Sequence, residues 1–216
     1  KNSNASAKSA KPNKHDTTKA SAHRPVRPTE FLITETDDLL VSQSGLALVG
    51  ALLATSSLRH RLNDIVLPGK PRPTTAHADV IMAMIGLLCL GKSDFADIEA
   101  FRDDAFFPRA LGLECVPSEP TLRQRMAELS HLPHDILSGE ILGIIRAHAP
   151  ALTPCFKDWL ALDIDVSPFD NSNTKKEGVG WTYKQVDGFA PIFAYLGAEG
   201  YLIHEELREG TQHCQK

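Results

Sequence analysis

Trp159-Leu-Ala-Leu-Asp163-Ile-Asp165-Val-Ser167 is a run of β-forming residues that closes at Pro168, and it reads as a strand. Side chains alternate along a strand, so Asp163 and Asp165 emerge on one face while Leu162, Ile164 and Val166 fill the other. Two carboxylates that near repel, which costs stability unless a cation, a proton or a hydrogen-bond donor compensates. A divalent ion with a preference for hard oxygen ligands, Mg²⁺ or Mn²⁺, is the natural compensator. The plainer alternative puts one of the two aspartates at a solvent-facing strand edge.

Downstream, Asn171–Gly178 is a polar, basic loop holding Lys175 and Lys176, followed by Trp181-Thr-Tyr183-Lys184. Gly188–Leu196 and Tyr201–Leu207 read as two more strands, joined by the hairpin turn Gly197-Ala-Glu-Gly200. Three strands with no completing helix make an incomplete α/β unit. Lys175, Lys176 and Lys184 sit near the acidic strand, where they either meet a DNA backbone or stand in a solvated loop. His204 is read as a surface strand residue and His213 as a loop residue.

Upstream, from Phe31-Leu-Ile33 to about residue 150, the pattern is helical. Ser44–Leu58 carries Leu46, Val49, Ala51, Leu52 and Leu53 and leads into a basic turn, Arg59-His-Arg61. The Pro68–Pro73 stretch forces a loop. A second helix over about 76–90, apolar on most faces and stopped by Gly91, reads as the centre of a bundle. Ser93 or Asp94 caps a third helix with Phe95, Ile98 and Phe101 on one face. A fourth starts near Ser118 with Pro120 in its first turn, and a fifth covers Asp135–Ala147 and ends at Pro150. In the fourth, Arg123 and Arg125 fall away from the stripe Leu122, Met126 and Leu129. They are therefore expected to be exposed, on a DNA recognition helix or on an ordinary bundle helix.

Residues 1–30 are polar, rich in Lys, Ser and Ala, and read as a disordered basic tail. They hold seven Lys or Arg against Asp16 and Glu30, a net of +5. Of the totals of 23 cationic and 27 anionic residues, the remainder keeps 16 and 25, a net of −9. A basic arm on an acidic body suits contact with a polyanion or a plain solvated leader. The 216 residues, 42% apolar and 23% charged, exclude a fibrous or wholly disordered chain. The apolar runs are too short to span a bilayer and the tail has no apolar core of a signal peptide. Cys89, Cys115, Cys155 and Cys214 are too far apart for a Cys-x-x-Cys site, and buried, reduced thiols are expected. The first residue is Lys1, not Met, so a piece of a longer reading frame is expected.

Together these stretches resemble the DDE transposases of bacterial insertion sequences, the cut-and-paste group with an RNase H-like core. The likeness rests on the apolar-Asp-x-Asp-x-Ser strand, Tyr183-Lys184, the Gly188-Phe-Ala-Pro191 stretch and the Arg208-Glu-Gly-Thr-Gln-His213 ending. In the helical part it rests on Phe101-Arg-Asp-Asp104, Leu111-Gly-Leu-Glu114 and Pro117-Ser-Glu-Pro-Thr-Leu-Arg123, and it covers about residues 31–216. It implies an α+β chain: a helical domain over 31–156 that binds DNA ends, then, over 157–216, the first three strands of an RNase H-like α/β core. It further implies Mg²⁺- or Mn²⁺-dependent phosphodiester cleavage and strand transfer at double-stranded transposon ends. Asp165 matches the first catalytic acid and metal ligand best, with Asp163 the second candidate. The family's second Asp and its Glu have no match, so the chain is expected to be catalytically inactive by itself. A homodimer in a synaptic complex, no membrane, and a bacterial, nucleoid-associated cytoplasmic location complete the expectation. Two rivals stand beside it: a stand-alone helical DNA-binding or regulatory protein derived from a transposase, and an unrelated metal-dependent hydrolase using Asp163 and Asp165.

Overall fold

The computed structural model describes residues 41–149 and 151–212. The basic tail, the onset of order at Phe31–Ile33, the stop at Pro150, His213 and Cys214 lie outside the described residues.

Among the described residues seven helical segments come first: α1 (Leu46–Ala54), α2 (Leu58–Asn63), α3 (His77–Cys89), a 3-10 helix (Phe95–Phe101), α4 (Phe106–Leu111), α5 (Glu119–Leu129) and α6 (Leu132–His148). As its composition predicts, α3 is central, with Ala78, Val80, Ile81, Met82, Ala83 and Leu87 all buried. Leu46, Leu58, Leu62, Ile98, Phe107, Leu122 and Leu129 close one core around it. Gly91 ends α3 at φ +71°, which lets the N–H of Gly91 reach Leu88 O and that of Lys92 reach Leu87 O. α5 starts at Ser118, whose hydroxyl accepts from Thr121 N at 3.4 Å, with Pro120 in the first turn.

The expected helix Ser44–Leu58 is broken in two. The hydroxyls of Thr55 and Ser56 donate to Leu52 O and Leu53 O at 2.7 and 2.6 Å, satisfying the carbonyls that another helical turn would use. The chain then restarts as α2, so Arg59-His-Arg61 are helical and not a turn. The third helix is 3-10 in form, capped as expected by Asp94, which accepts from Ala96 N. α4 is an addition: Asp104 accepts from the N–H groups of Phe106 and Phe107, both at 2.7 Å. Six residues give too little periodicity to be read as a helix. α6 begins three residues before Asp135.

Six strands follow among the described residues: β1 (Leu162–Val166), β2 (Phe169–Asp170), β3 (Gly180–Trp181), β4 (Asp187–Phe189), β5 (Ile192–Leu196) and β6 (Tyr201–Glu206). They form two antiparallel three-stranded sheets, ordered β1-β5-β6 and β2-β4-β3, so the chain is α+β. The expected strand Gly188–Leu196 is thus two strands, divided at Ala190-Pro191. Proline has no N–H to give to the ladder, and the ladder is interrupted there. The register carries across the interruption all the same. Asp163 faces Tyr195 and Asp165 faces Phe193, Ser167 N donates to Pro191 O, and Phe169 faces Phe189. The two sheets are therefore one long ribbon, kinked at two prolines.

One expectation about β1 fails. Val166 is buried, but Leu162 and Ile164 are 57% and 58% exposed, since no described element covers that face. On the opposite face of this sheet, the one that carries Asp163 and Asp165, α6 meets β6. Ser138 Oγ donates to Glu205 Oε1 at 3.4 Å, and His134 Nε2 lies 3.4 Å from the same oxygen. Among the described residues no helix is long and apolar enough to cross a membrane.

Candidate functional site

Alternation along β1 puts Asp163 and Asp165 on one face, and both are exposed. Neither carboxylate makes a side-chain hydrogen bond or ion pair among the described residues. In antiparallel pairing opposed residues share a face, so Tyr195, Phe193 and Glu205 stand beside them. The acidic pair therefore lies along a row of rings: Phe193 is 6.3 Å from Tyr195 and 6.0 Å from Phe169, centroid to centroid.

Two unpartnered carboxylates on an open strand are a partial donor set for a hard cation. Mg²⁺ is commonly held by one or two carboxylates, with waters and substrate phosphates completing its shell. The pair fits that arrangement. No group of three or more His, Cys, Asp or Glu side chains is placed to hold a metal among the described residues. An all-protein cage is therefore not formed by them.

The turn between β3 and β4 is fastened to this strand. Tyr183 Oη donates to Val166 O at 2.8 Å, one residue beyond Asp165. The turn itself is closed by Thr182, whose N–H and hydroxyl both donate to Val186 O at 2.9 Å. Lys184 follows Tyr183 in that turn and is exposed, as are Lys175 and Lys176 in the β2–β3 loop. Lys176 Nζ reaches Asn171 Oδ1 at 3.5 Å, and none of the three lysines is ion-paired among the described residues. Tyr183 was not legible as a positioning group, because its partner is a backbone carbonyl 17 residues away.

Gly210, in the Arg208-Glu-Gly-Thr-Gln212 stretch, lies flat against the small sheet. A Cβ there would run into the carbonyl oxygens of Gly180 and Gly188. Its own N–H donates to Gly178 O, and Ala190 N donates to Arg208 O. One face of β2-β4-β3 is covered in this way. The other carries Phe169, Phe189, Asp187 and Trp181, which the register places together.

On α5 the two arginines part company. Arg123 is exposed, held by Glu119 at 2.7 Å and lying over the Phe95 ring at 4.9 Å. Arg125, expected to be exposed, has a side chain only 11% exposed. Its guanidinium is committed to Glu128 and, at 2.7 Å, to His77 Nδ1, because α5 turns that side toward the start of α3. Hydrogen bonds from Lys70 first, then Gln124, hold the Glu128 carboxyl down at about 2. Burial first, then the Arg125 guanidinium, lowers the His77 imidazole below 6.5. Arg125 is thus part of a structural charge network.

The thiols also differ from expectation. Cys89, Cys115 and Cys155 are free, as expected, but exposed and not buried. His204 is exposed on its strand, as expected.

A family model for the transposase DDE domain, group 1, matches residues 27–216. Comparison with curated proteins and with solved structures gives no match.

Proposed function

The chain belongs to the transposase DDE domain family, group 1, and from that premise we propose that it acts on double-stranded transposon ends, with β1 as the acidic strand of an RNase H-like core. The observation that carries this reading is the pair Asp163 and Asp165, exposed on one strand face with no protein partner among the described residues. Keeping two like charges together without a counter-charge costs stability, and a divalent cation relieves that cost.

Asp165 is the primary ligand for Mg²⁺ or Mn²⁺ in this reading, and Asp163 assists on the same face. The bound ions would supply charge stabilisation at the attacking and leaving oxygens of a phosphodiester. Two carboxylates from one strand cannot surround two ions, so cleavage needs further acidic ligands. Lys175, Lys176 and Lys184 neutralise backbone phosphates next to the acidic strand, and Arg123 does the same from α5. Arg125 supports α5 from within. Two copies pairing two DNA ends would form the synaptic complex, in the bacterial cytoplasm at the nucleoid.

The test compares duplexes carrying the ends that flank the gene with unrelated duplexes of equal length, then assays cleavage by the whole reading frame in Mg²⁺. Preferred binding of the ends, with cleavage that Asp165→Asn abolishes, is the expected result. Preferred binding with no Asp165-dependent cleavage would move the chain to the regulatory, DNA-binding reading. Equal and weak binding of all duplexes would overturn both.

A further inference from the structure

We propose that the cleft between α1, α2 and α4 is a binding site for an organic monoanion, an apolar body carrying a single oxyanion head. The site lies in the helical half of the chain and stands independently of the DNA-end reading.

The floor comes from α1. Its sequence, Leu46-Ala-Leu-Val-Gly-Ala-Leu-Leu-Ala54, has no polar side chain, and a helix that is apolar all round is normally buried. Ala47, Ala51 and Ala54 nevertheless share an exposed face at i, i+4 and i+7, and they line a cleft of about 790 Å³. Small-molecule sites occupy about 300–1,000 Å³ and are mostly apolar, with a few placed polar groups. Gly50 brings the far wall close. A Cβ there would run into Ala110 O, so α4 lies directly on α1, with Arg109 in the cleft lining.

The wall is cationic. Arg59 and Arg109 line the cleft, and no aspartate or glutamate does. His60, also in the lining, is paired with Asp64 at 3.3 Å. The neighbouring cleft along the Pro68–Pro73 loop, by contrast, has Asp64 and Glu114 in its lining. Arg109 is exposed and makes no ion pair among the described residues. Arg59 is pinned from behind. Its Nη2 lies 3.0 Å from Asp79 Oδ1 and also donates to Gly112 O. Asp79 is fully buried, and its Oδ2 accepts from Glu114 N at 3.2 Å and Cys115 N at 3.3 Å. A buried ion pair adds little stability over an apolar pair, so what this one delivers is a fixed guanidinium. The Arg59 side chain is still 34% exposed, and its Nε and Nη1 make no hydrogen bond among the described residues. Those donors are preorganised for an oxyanion. Asp79 cancels the charge of Arg59, which leaves Arg109 as the uncompensated cation and a monoanion as the matching ligand.

The test titrates the 216-residue chain with two dyes and follows their fluorescence. Anilinonaphthalene sulfonate is an aromatic monoanion, and phenylnaphthylamine is the same ring system without the sulfonate. The anion is expected to bind about tenfold more tightly than the neutral dye, the worth of one charge-assisted hydrogen bond. Arg109→Ala should remove that preference and leave the neutral dye unaffected. Ala51→Trp fills the floor and should abolish binding of both dyes. Both residues are exposed, so the thermal midpoints should stay unchanged. Equal binding of the two dyes, or an anion preference that survives Arg109→Ala, would overturn the anion site. Binding that survives Ala51→Trp would place the dyes on another surface and overturn it as well, and so would binding of neither dye. All of these outcomes leave the DNA-end reading intact, since cleavage of the ends tests that separately.

Discussion

Tyr183 Oη donates a hydrogen bond to Val166 O at 2.8 Å, and this contact ties the β3–β4 turn to the end of the strand that carries Asp165. Lys184 and Trp181 take their places relative to the acidic pair through it. Tyr183→Phe removes the donor and keeps the ring. The expected cost is about 1 kcal/mol, the net worth of one ordinary hydrogen bond. Amide exchange measured by mass spectrometry should quicken over residues 182–187 and stay unchanged in α3.

Asp165→Asn keeps the shape of the side chain and removes one of two like charges on an open face. Its thermal midpoint in EDTA should equal or exceed that of the unaltered chain, since repulsion with Asp163 is gone. Mg²⁺ or Mn²⁺ should raise the midpoint of the unaltered chain, and in Asp165→Asn that rise should disappear. Asp163→Asn should lose part of that rise. An unchanged metal-induced shift in Asp165→Asn would remove this residue from the site.

The two arginines of α5 should separate stability from binding. Arg125→Ala leaves Glu128 and His77 without a partner they now hold, and it should cost about 1–3 kcal/mol in urea unfolding. Arg123→Ala should change stability little, because an exposed i,i+4 pair with Glu119 is worth only a few tenths of a kcal/mol. On duplex DNA, Arg123→Ala should instead lower the log–log salt slope by about 0.9.

Two histidines give opposite pH dependences. His134 is raised above 6.5, by Asp135 first and then by Glu205 across the α6–β6 contact. A raised folded pKa means its stabilisation is complete below 6.5 and fades as pH rises through the folded value. His134→Ala should therefore cost a few tenths of a kcal/mol below 6.5, and that cost should fade as pH rises through the folded value, a small effect because the pair is partly in water. His77 is lowered, so the unfolded chain takes up a proton that the folded chain refuses. Its contribution is present above 6.5 and falls as pH drops from 6.5 toward the folded value. Urea midpoints of His77→Gln against the unaltered chain should converge at low pH.

Gly210→Ala should unseat the small sheet. A methyl group there meets the carbonyl oxygens of Gly180 and Gly188, which are backbone and cannot step aside. Overpacking of this kind costs about 1–3 kcal/mol. Exchange protection should fall in β3 and β4, while the helical core around α3 keeps its own.

Much of this architecture was legible along the chain, where the signals are local. Ser118 and Asp94 announced helix starts, Gly91 a helix stop, and Gly197–Gly200 a hairpin, because each acts on backbone groups a few residues away. The acidic strand was legible too, since alternation alone sets Asp163 and Asp165 on one face. The division of Ser44–Leu58 was within reach: Thr55-Ser56-Ser57 carries the hydroxyls that end α1. The short α4 was not, since six residues lack a readable period.

What the tertiary structure decided is everything that depends on a distant partner. Arg125 and Arg123 differ by two positions in one helix, yet one is locked against His77 and the other stands in water. That difference comes from where α3 lies, 48 residues back along the chain. The aromatic row beside Asp163 and Asp165 exists only because β5 takes one register against β1. A shift of one residue would send Phe193 and Tyr195 to the opposite face. The chain's own sequence determines which side chains alternate and where helices start and stop, because those are short-range matters of sterics and hydrogen bonding. Which carboxylate lies beside which ring is set by strand pairing and by the Tyr183 anchor, whose energy appears only when separated segments meet.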